Sequence, residues 1–254
     1  FPAMTSRGCP RSCTYCSEVL YSPWRFRPVD EVISELKLYQ TKFGADKIVF
    51  RDDDFLVHPK RSREILTKML PLGLEWACQT DLHLAQHLDI VQLAVDAGLR
   101  AVCFGLESII AENRKDIGKN FFTLDGISEL LLLLNEKGIE TQISIIFGLD
   151  HDTLDVFDET VEFLLKHKVS TFYANILSPE PGTAIYKKLL EEGRLLTKID
   201  ERRLEVEDTA YLNFVPKNLL AEQLISGTRY AKKRFHTERS MEHPFWLGNE
   251  KTEY

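Results

Sequence analysis

Apolar residues along the chain recur at two alternating periods. "RPVDEVISELKLYQTKFG" (27–44) carries Val29, Val32, Ile33, Leu36 and Phe43 at helical spacing, and Gly44 follows as a C-terminal stop. "KIVFRDDD" (47–54) reads as a strand that ends in carboxylates. Helical spacing returns in "PKRSREILTKML" (59–70), with Pro59 near its start, and in "LDIVQLAVDAG" (88–98). It returns again in "TLDGISELLLLLNEKG" (123–138) and "DTLDVFDETVEFLLKHK" (152–168). Between them lie four strand-like runs: "LEWACQT" (74–80), "AVCFGLE" (101–107), "TQISIIFG" (141–148) and "STFYANIL" (170–177). "AMTSRG" (3–8) predicts a first strand leading into a loop, and "TAIYKKLLEEG" (183–193) predicts a short last helix.

Six β-α units in a row predict a parallel sheet with right-handed crossovers. Periodicity does not choose between a curled partial barrel and an open doubly wound sheet. Either way, function belongs at the C-terminal ends of the strands. Cys9, Asp52 to Asp54, Gln79, Glu107, Gly148 and Pro179 all end or follow strand-like runs. After residue 195 the pattern changes to the charged, irregular stretch "LTKIDERRLEVEDTAYLNFVPKNL". Residues 218–240 then predict one more helix with a basic end, and "MEHPFWLGNEKTEY" reads as a cover or a frayed end. The expected division is therefore a domain over 1–195 and an extension over 196–254.

Composition narrows the class. The 254 residues, 44% hydrophobic and 28% charged, have ordinary globular usage rather than that of a disordered chain. A formal net charge of -7 gives no bulk basic surface for nucleic acid. The apolar run Leu130 to Leu134 is far short of the ~20 residues that span a bilayer, so no membrane partner is expected. The opening "FPAMTSRG" has neither the charged nor the apolar region of a signal peptide. Because it begins with Phe, the chain is read as a trimmed form or as one domain of something longer. Five cysteines, three of them clustered, do not form the pattern of a secreted disulfide framework, so a reducing, cytoplasmic setting is expected.

The clustered cysteines carry the chemistry. "GCPRSCTYC" places Cys9, Cys13 and Cys16 within one short loop. Thiolates suit zinc or iron–sulfur clusters. Closed zinc sites want four ligands, commonly as two separated pairs, and no second pair is present: Cys78 and Cys103 stand alone. A zinc clip completed by a distant residue, or three unrelated thiols, remains one reading. The other is a four-iron cluster on three thiolates, with one iron left open for substrate.

"CPRSCTYC" resembles the Cys-x3-Cys-x2-Cys signature of the radical S-adenosylmethionine enzymes, with the aromatic Tyr15 just before the third cysteine. The resemblance implies a [4Fe-4S] cluster on Cys9, Cys13 and Cys16, with S-adenosylmethionine chelated at the open iron. One electron then cleaves a sulfonium C–S bond, and the usual product is a 5′-deoxyadenosyl radical that abstracts hydrogen from a substrate. "FRDDDF" stands where this family binds the methionine ammonium, so Asp52, Asp53 and Asp54 become candidates; a solvated acidic turn is the alternative. "FGLES" resembles the fourth-strand motif, with Glu107 on the ribose hydroxyls and Ser108 near the methionine carboxylate. Ile146 and Gly148 in "SIIFGLDHDT" are similar to the segment that packs on adenine, and Gln79 is a further candidate. "SPEPGT" (178–183) resembles a turn that recurs in the cobalamin-associated branch.

The resemblance implies a partial (β/α)6 barrel of parallel strands with helices outside, followed by a C-terminal helical extension. It implies a radical enzyme acting on a small-molecule substrate, with an electron donor such as flavodoxin or ferredoxin. The chain starts eight residues before Cys9, so cobalamin is expected only if a domain outside this chain supplies it. A radical C-methyltransferase lacking that domain and a 3-amino-3-carboxypropyl transferase are alternatives within the class. A non-catalytic, metal-stabilised binding module is the alternative outside it.

Overall fold

The structure, a computed structural model, describes residues 1–21, 23–196, 205–206 and 210–239. Its main sheet has six strands: β1 (Pro2–Ala3), β2 (Lys47–Phe50), β3 (Glu75–Thr80), β4 (Leu99–Glu107), β5 (Glu140–Phe147) and β6 (Thr171–Ile176). They lie side by side in sequence order, and each neighbouring pair is parallel. That order resolves the architecture. A doubly wound sheet reverses its direction of growth at a switch point, whereas here every crossover steps the same way. Right-handed crossovers in a single direction put the helices on one face and leave the other as a concave interior. The expected partial (β/α)6 barrel is the fold observed.

The main helices between and after the strands are α1 (Val29–Phe43), α2 (Pro59–Met69), α3 (Leu88–Asp96), α4 (Leu124–Glu136), α5 (Val156–Lys166) and α6 (Ala184–Glu191), with short turns of helix at Glu18–Tyr21 and Ala111–Asp116. Their ends follow local chemistry. Gly44 stops α1 at φ +64°, where L side chains are strained. Pro59 opens α2, and the Thr183 hydroxyl caps α6 by accepting from the Tyr186 amide at 3.3 Å. Leu36, Ile65, Leu66, Ile90, Leu130 and Leu164 from these helices are fully buried in one core with Trp76, Phe104 and Phe147 of the sheet. Each such side chain contributes roughly 1.5–3 kcal/mol of transfer free energy. Period two does the sorting: on β4, Val102, Phe104 and Leu106 are buried, while Cys103 and Gly105 are half-buried on the opposite, concave side.

The first strand departs from expectation. Only Pro2–Ala3 joins the sheet; Ser6–Arg7 leaves it to pair antiparallel with Arg25–Phe26. The cause is Asp52, which draws Thr5 and Ser6 inward and ends the ladder. Its carboxylate accepts from the Thr5 amide (3.0 Å), the Thr5 hydroxyl (2.7 Å) and the Ser6 hydroxyl (2.5 Å).

Beyond α6, Leu195 bridges to Phe214, and α7 (Ala221–Glu238) packs on α5 and β6. Phe235 meets Phe172 edge-on at 5.4 Å, and Leu212, Phe214, Leu219 and Leu224 belong to the same core as the barrel. The stretch read as irregular holds a small antiparallel ribbon, Glu205–Val206 with Ala210–Tyr211. The tail expected to cover or fray lies outside the described residues. Among the described residues no helix is long and apolar enough to cross a membrane.

Candidate cofactor site at the strand ends

The loop of Cys9, Cys13 and Cys16 sits over the C-terminal end of the sheet because several elements hold it there. The Thr14 amide donates to the Ile117 carbonyl at 3.1 Å, and the Ile185 amide donates to the Thr14 carbonyl at 2.9 Å. Arg11 Nε donates to Asp81 at 2.5 Å, just beyond β3, and the Arg11 guanidinium lies 4.6 Å from the centre of the Phe121 ring. Cys13 is buried, Cys9 and Cys16 are half-buried, and all three are free thiols. Burial pushes the Cys9 thiol up to about 12. It raises Cys13 as well, against the pull of the Lys119 ammonium. Thiols in that state need a strongly positive group to release their protons, which an iron cluster provides. Among the described residues no three Cys, His, Asp or Glu side chains converge on the position of a single metal ion. Three thiols on one loop fit a larger, multi-iron group by donor type.

The three consecutive aspartates do three different things. Asp52 is buried and fully engaged by Thr5 and Ser6. Asp54 is buried too, accepting from the Thr80 hydroxyl at 2.7 Å and the Asp81 amide at 3.2 Å. Burial and the neighbouring Asp81 push the Asp54 carboxyl well above the usual range. Asp81 is held below that range: burial opposes its charge, but His83 and Arg11 outweigh burial. Asp53, half-buried between them, has no partner for its carboxylate among the described residues. Its main-chain carbonyl accepts from Gln79 Nε2 at 3.3 Å.

Glu107 closes β4 on a register shift, with φ +64°. A non-glycine residue there is strained by about 1–3 kcal/mol, and such bulges re-aim side chains. The Glu107 carboxylate turns back over Gly105, where a Cβ would lie 2.2 Å from Glu107 Oε1 and 2.6 Å from Lys119 Nζ. The residue for which Gly105 makes room is thus Glu107 itself. Oε1 accepts from the Tyr15 hydroxyl at 2.8 Å and from Lys119 Nζ at 2.9 Å. Burial and Glu107 together push the Tyr15 phenol far above its usual range, which keeps it a donor. Both bonds land on one oxygen, so Oε2 has no partner among the described residues.

Ser108 is buried beside it, and its hydroxyl oxygen accepts from the Ile110 amide (3.1 Å) and Asn113 Nδ2 (3.2 Å). Asn113 Nδ2 also donates to Asp152 (2.7 Å), which accepts from the amides of Gly148 (2.7 Å) and Leu149 (3.0 Å). This network ties the end of β4 to the end of β5. Gly148, at φ +95°, faces the C-terminal segment: a Cβ there would meet Phe214 and Leu224 at 2.9 Å. Ile146 pairs in register with Asn175, and Gln79 with Cys103, along the concave face.

Sequence reasoning did not single out Lys119, Asp81, Arg11, Asn113 or Asp152. Asp81 and Asp152 carry a local signal, since each accepts main-chain amides a few residues away, as turn aspartates do. Lys119 carries none.

Comparison with known proteins follows the same geometry. The profile of the Radical SAM superfamily matches residues 4–164. The chain is 27% identical over 230 residues to the bacteriochlorophyllide d C-12(1)-methyltransferase of Chlorobaculum tepidum, covering 89% of this chain and 49% of that protein. It is 22% identical over 259 residues to the anaerobic magnesium-protoporphyrin IX monomethyl ester cyclase of Rubrivivax gelatinosus, covering 98% of this chain and 44% of that one. In structure it is similar to the radical S-adenosylmethionine methyltransferase TsrM of Kitasatospora setae, solved with cobalamin and a [4Fe-4S] cluster bound. The TM-score is 0.69 at 17% identity, over 92% of this chain and 46% of that one. The chain spans about half the length of the curated relatives it matches.

Proposed function

The chain belongs to the radical SAM superfamily, and we propose that it is the catalytic core of an enzyme that cleaves S-adenosylmethionine reductively to start radical chemistry on a small-molecule substrate. The observation that carries this is Glu107. It is a strained, buried carboxylate, bound through Oε1 to the cysteine loop, with Oε2 left to accept a ligand hydroxyl. Cys9, Cys13 and Cys16 would hold a [4Fe-4S] cluster. When bound, that cluster supplies the electron that breaks a sulfonium C–S bond.

The chain's own residues position the nucleoside. Glu107 Oε2 is assigned to the ribose hydroxyls, since a fixed carboxylate oxygen discriminates a hydroxyl donor from water by geometry. Asp53 and Gln79 are assigned to the methionine ammonium and carboxylate, because the half-buried Asp53 carboxylate has no partner among the described residues, whereas the unpartnered Asp54 Oδ2 is sealed in the interior. Ile146 offers apolar surface to adenine. Tyr15 couples the thiol loop to the ribose clamp. A small redox protein of flavodoxin or ferredoxin type, in a reducing cytoplasm, is the electron source in this reading.

The test is anaerobic reconstitution with iron and sulfide. A brown protein with four irons that converts S-adenosylmethionine to 5′-deoxyadenosine supports the proposal; a colourless protein binding one zinc sinks it. Radical C-methylation is a second reading, favoured by methyltransferases among the relatives. It requires a methyl carrier, and cobalamin supplied from outside these residues would serve. S-Adenosylhomocysteine formed only when cobalamin is present marks that outcome, and methylthioadenosine marks aminocarboxypropyl transfer.

A further inference from the structure

The small ribbon that replaces the predicted end of the first strand carries an unusual charge arrangement. Ser6 pairs with Phe26, and Arg7 pairs directly with Arg25. Cross-strand partners stand about 5 Å apart at Cβ, and like charges in that position repel. Both arginines are exposed, and neither has a carboxylate partner among the described residues. Arg27, on the same strand side as Arg25, is already committed to Glu35 at 2.5 Å and to the Met4 carbonyl at 2.9 Å. Arg61 lies behind, its guanidinium 5.3 Å from the Phe26 ring and its Nε buried with no partner. Four guanidinium groups thus gather in a chain whose net charge is -7.

Three of them line a space; the fourth, Arg61, is bonded through Nη2 to the Thr5 and Arg27 carbonyls. Met4, Ser6, Arg7, Arg25, Phe26 and Arg27 line a cleft of about 490 Å³. Phe26 is 54% exposed and Met4 37% exposed, so the cleft has an apolar wall beside its basic one. Opposed arginines with no acid between them are relieved by an anion that both can grip. A carboxylate has two oxygens in one plane and a single negative charge. A phosphoryl group has three terminal oxygens and can accept forks from two directions.

We propose that this cleft binds a phosphoryl group carried on a small organic ligand, with Arg7 and Arg25 on the phosphoryl oxygens and Phe26 and Met4 against the organic body. The cleft's lining shares no residue with the three cysteines or with the Glu107 site, and its test needs neither cluster nor turnover.

The 254-residue chain is titrated with phenyl phosphate, inorganic phosphate and benzoate at about 0.15 M ionic strength, read by calorimetry and by thermal shift. Phenyl phosphate should bind more tightly than inorganic phosphate, and benzoate more weakly than either. Arg7→Gln and Arg25→Gln should each weaken both phosphates about tenfold. Phe26→Ala should remove only the preference for the phenyl compound. Fold integrity has its own sign. Without ligand, Arg25→Gln relieves repulsion and should melt at or above the wild-type temperature, while losing the phosphate-induced shift. Absence of saturable phosphate binding, equal affinity in the glutamine variants, or benzoate binding as tightly as phenyl phosphate would each overturn the proposal. If inorganic phosphate matches phenyl phosphate, the organic body is struck from it.

Discussion

Lys119 Nζ lies 2.9 Å from Glu107 Oε1 and 2.9 Å from the Gly105 carbonyl oxygen, a buried ion pair at the foot of the cysteine loop. Burial alone would discharge this lysine, but Glu107 outweighs it and Lys119 is raised above its ordinary value. Removing one member of such a pair strands the other. Lys119→Met is expected to cost about 3–5 kcal/mol, and adding Glu107→Gln should restore most of it. Urea midpoints at unchanged m value measure both. A loss below 1 kcal/mol in the single variant would show the pair to be open to water.

Gly105 sets the direction of Glu107. A methyl group at this position would overlap Glu107 Oε1 and Lys119 Nζ, both ends of flexible side chains. Gly105→Ala should therefore fold yet swing the carboxylate away from Tyr15. We expect affinity for S-adenosylmethionine to fall tenfold or more, with the far-ultraviolet spectrum unchanged. Equilibrium dialysis of the reconstituted protein checks this, and unchanged affinity would remove Glu107 from the ribose site.

These two residues also mark the boundary of what the sequence could say. Glu107 and the thiol loop were legible because their chemistry demands particular residue types at particular strand ends, and period two placed the strands. A glycine two positions before Glu107 shares its strand face by period two, but nothing in the letters says that Glu107 itself is the group that lies over it. Lys119 was silent: a lone lysine in a turn has no spacing to read, and its burial is created by the packing of β4 against the loop. Asp52, Asp53 and Asp54 are identical letters, and only tertiary neighbours decide that Asp52 is engaged through both oxygens, Asp54 through Oδ1 with Oδ2 buried and unpartnered, and the Asp53 carboxylate not at all. The break after Ala3 has the same origin, since it depends on Asp52 reaching Thr5 across 47 positions.

Asp152 gives a pH test of the link between β4 and β5. Burial pushes its carboxyl up to about 6, against hydrogen bonds from Gly148, Leu149 and Asn113 that pull the other way. The folded chain then binds a proton that the unfolded chain has released between pH 3.8 and about 6. Stability from this group is full below that window, declines as pH rises through it, and is lost above it. Asp152→Asn removes the titration. Wild type should lose roughly 2.5 kcal/mol relative to Asp152→Asn between pH 4 and 7. Parallel denaturation curves for the two proteins would contradict the assignment.

Gly227 tests how α7 is fastened to the barrel. In a helix interior, Gly→Ala ordinarily stabilises by about 1 kcal/mol, because alanine loses less backbone entropy on folding. Here two effects compete. A Cβ on Gly227 would lie 2.2 Å from the Phe157 ring edge, and Phe157 is itself buried on α5. That ring is wedged 4.9 Å from Phe147 of β5, so it has little room to retreat. Overpacking of this kind costs typically about 1–3 kcal/mol, enough to cancel the propensity gain or reverse it by up to 2 kcal/mol. Gly227→Ala is therefore expected to melt lower than wild type, and Phe157→Leu in the same chain should recover part of the loss by making space. The coupling between the two substitutions, measured by a double-mutant cycle, is the decisive quantity. Strict additivity would mean that α7 does not seat on Phe157 in solution.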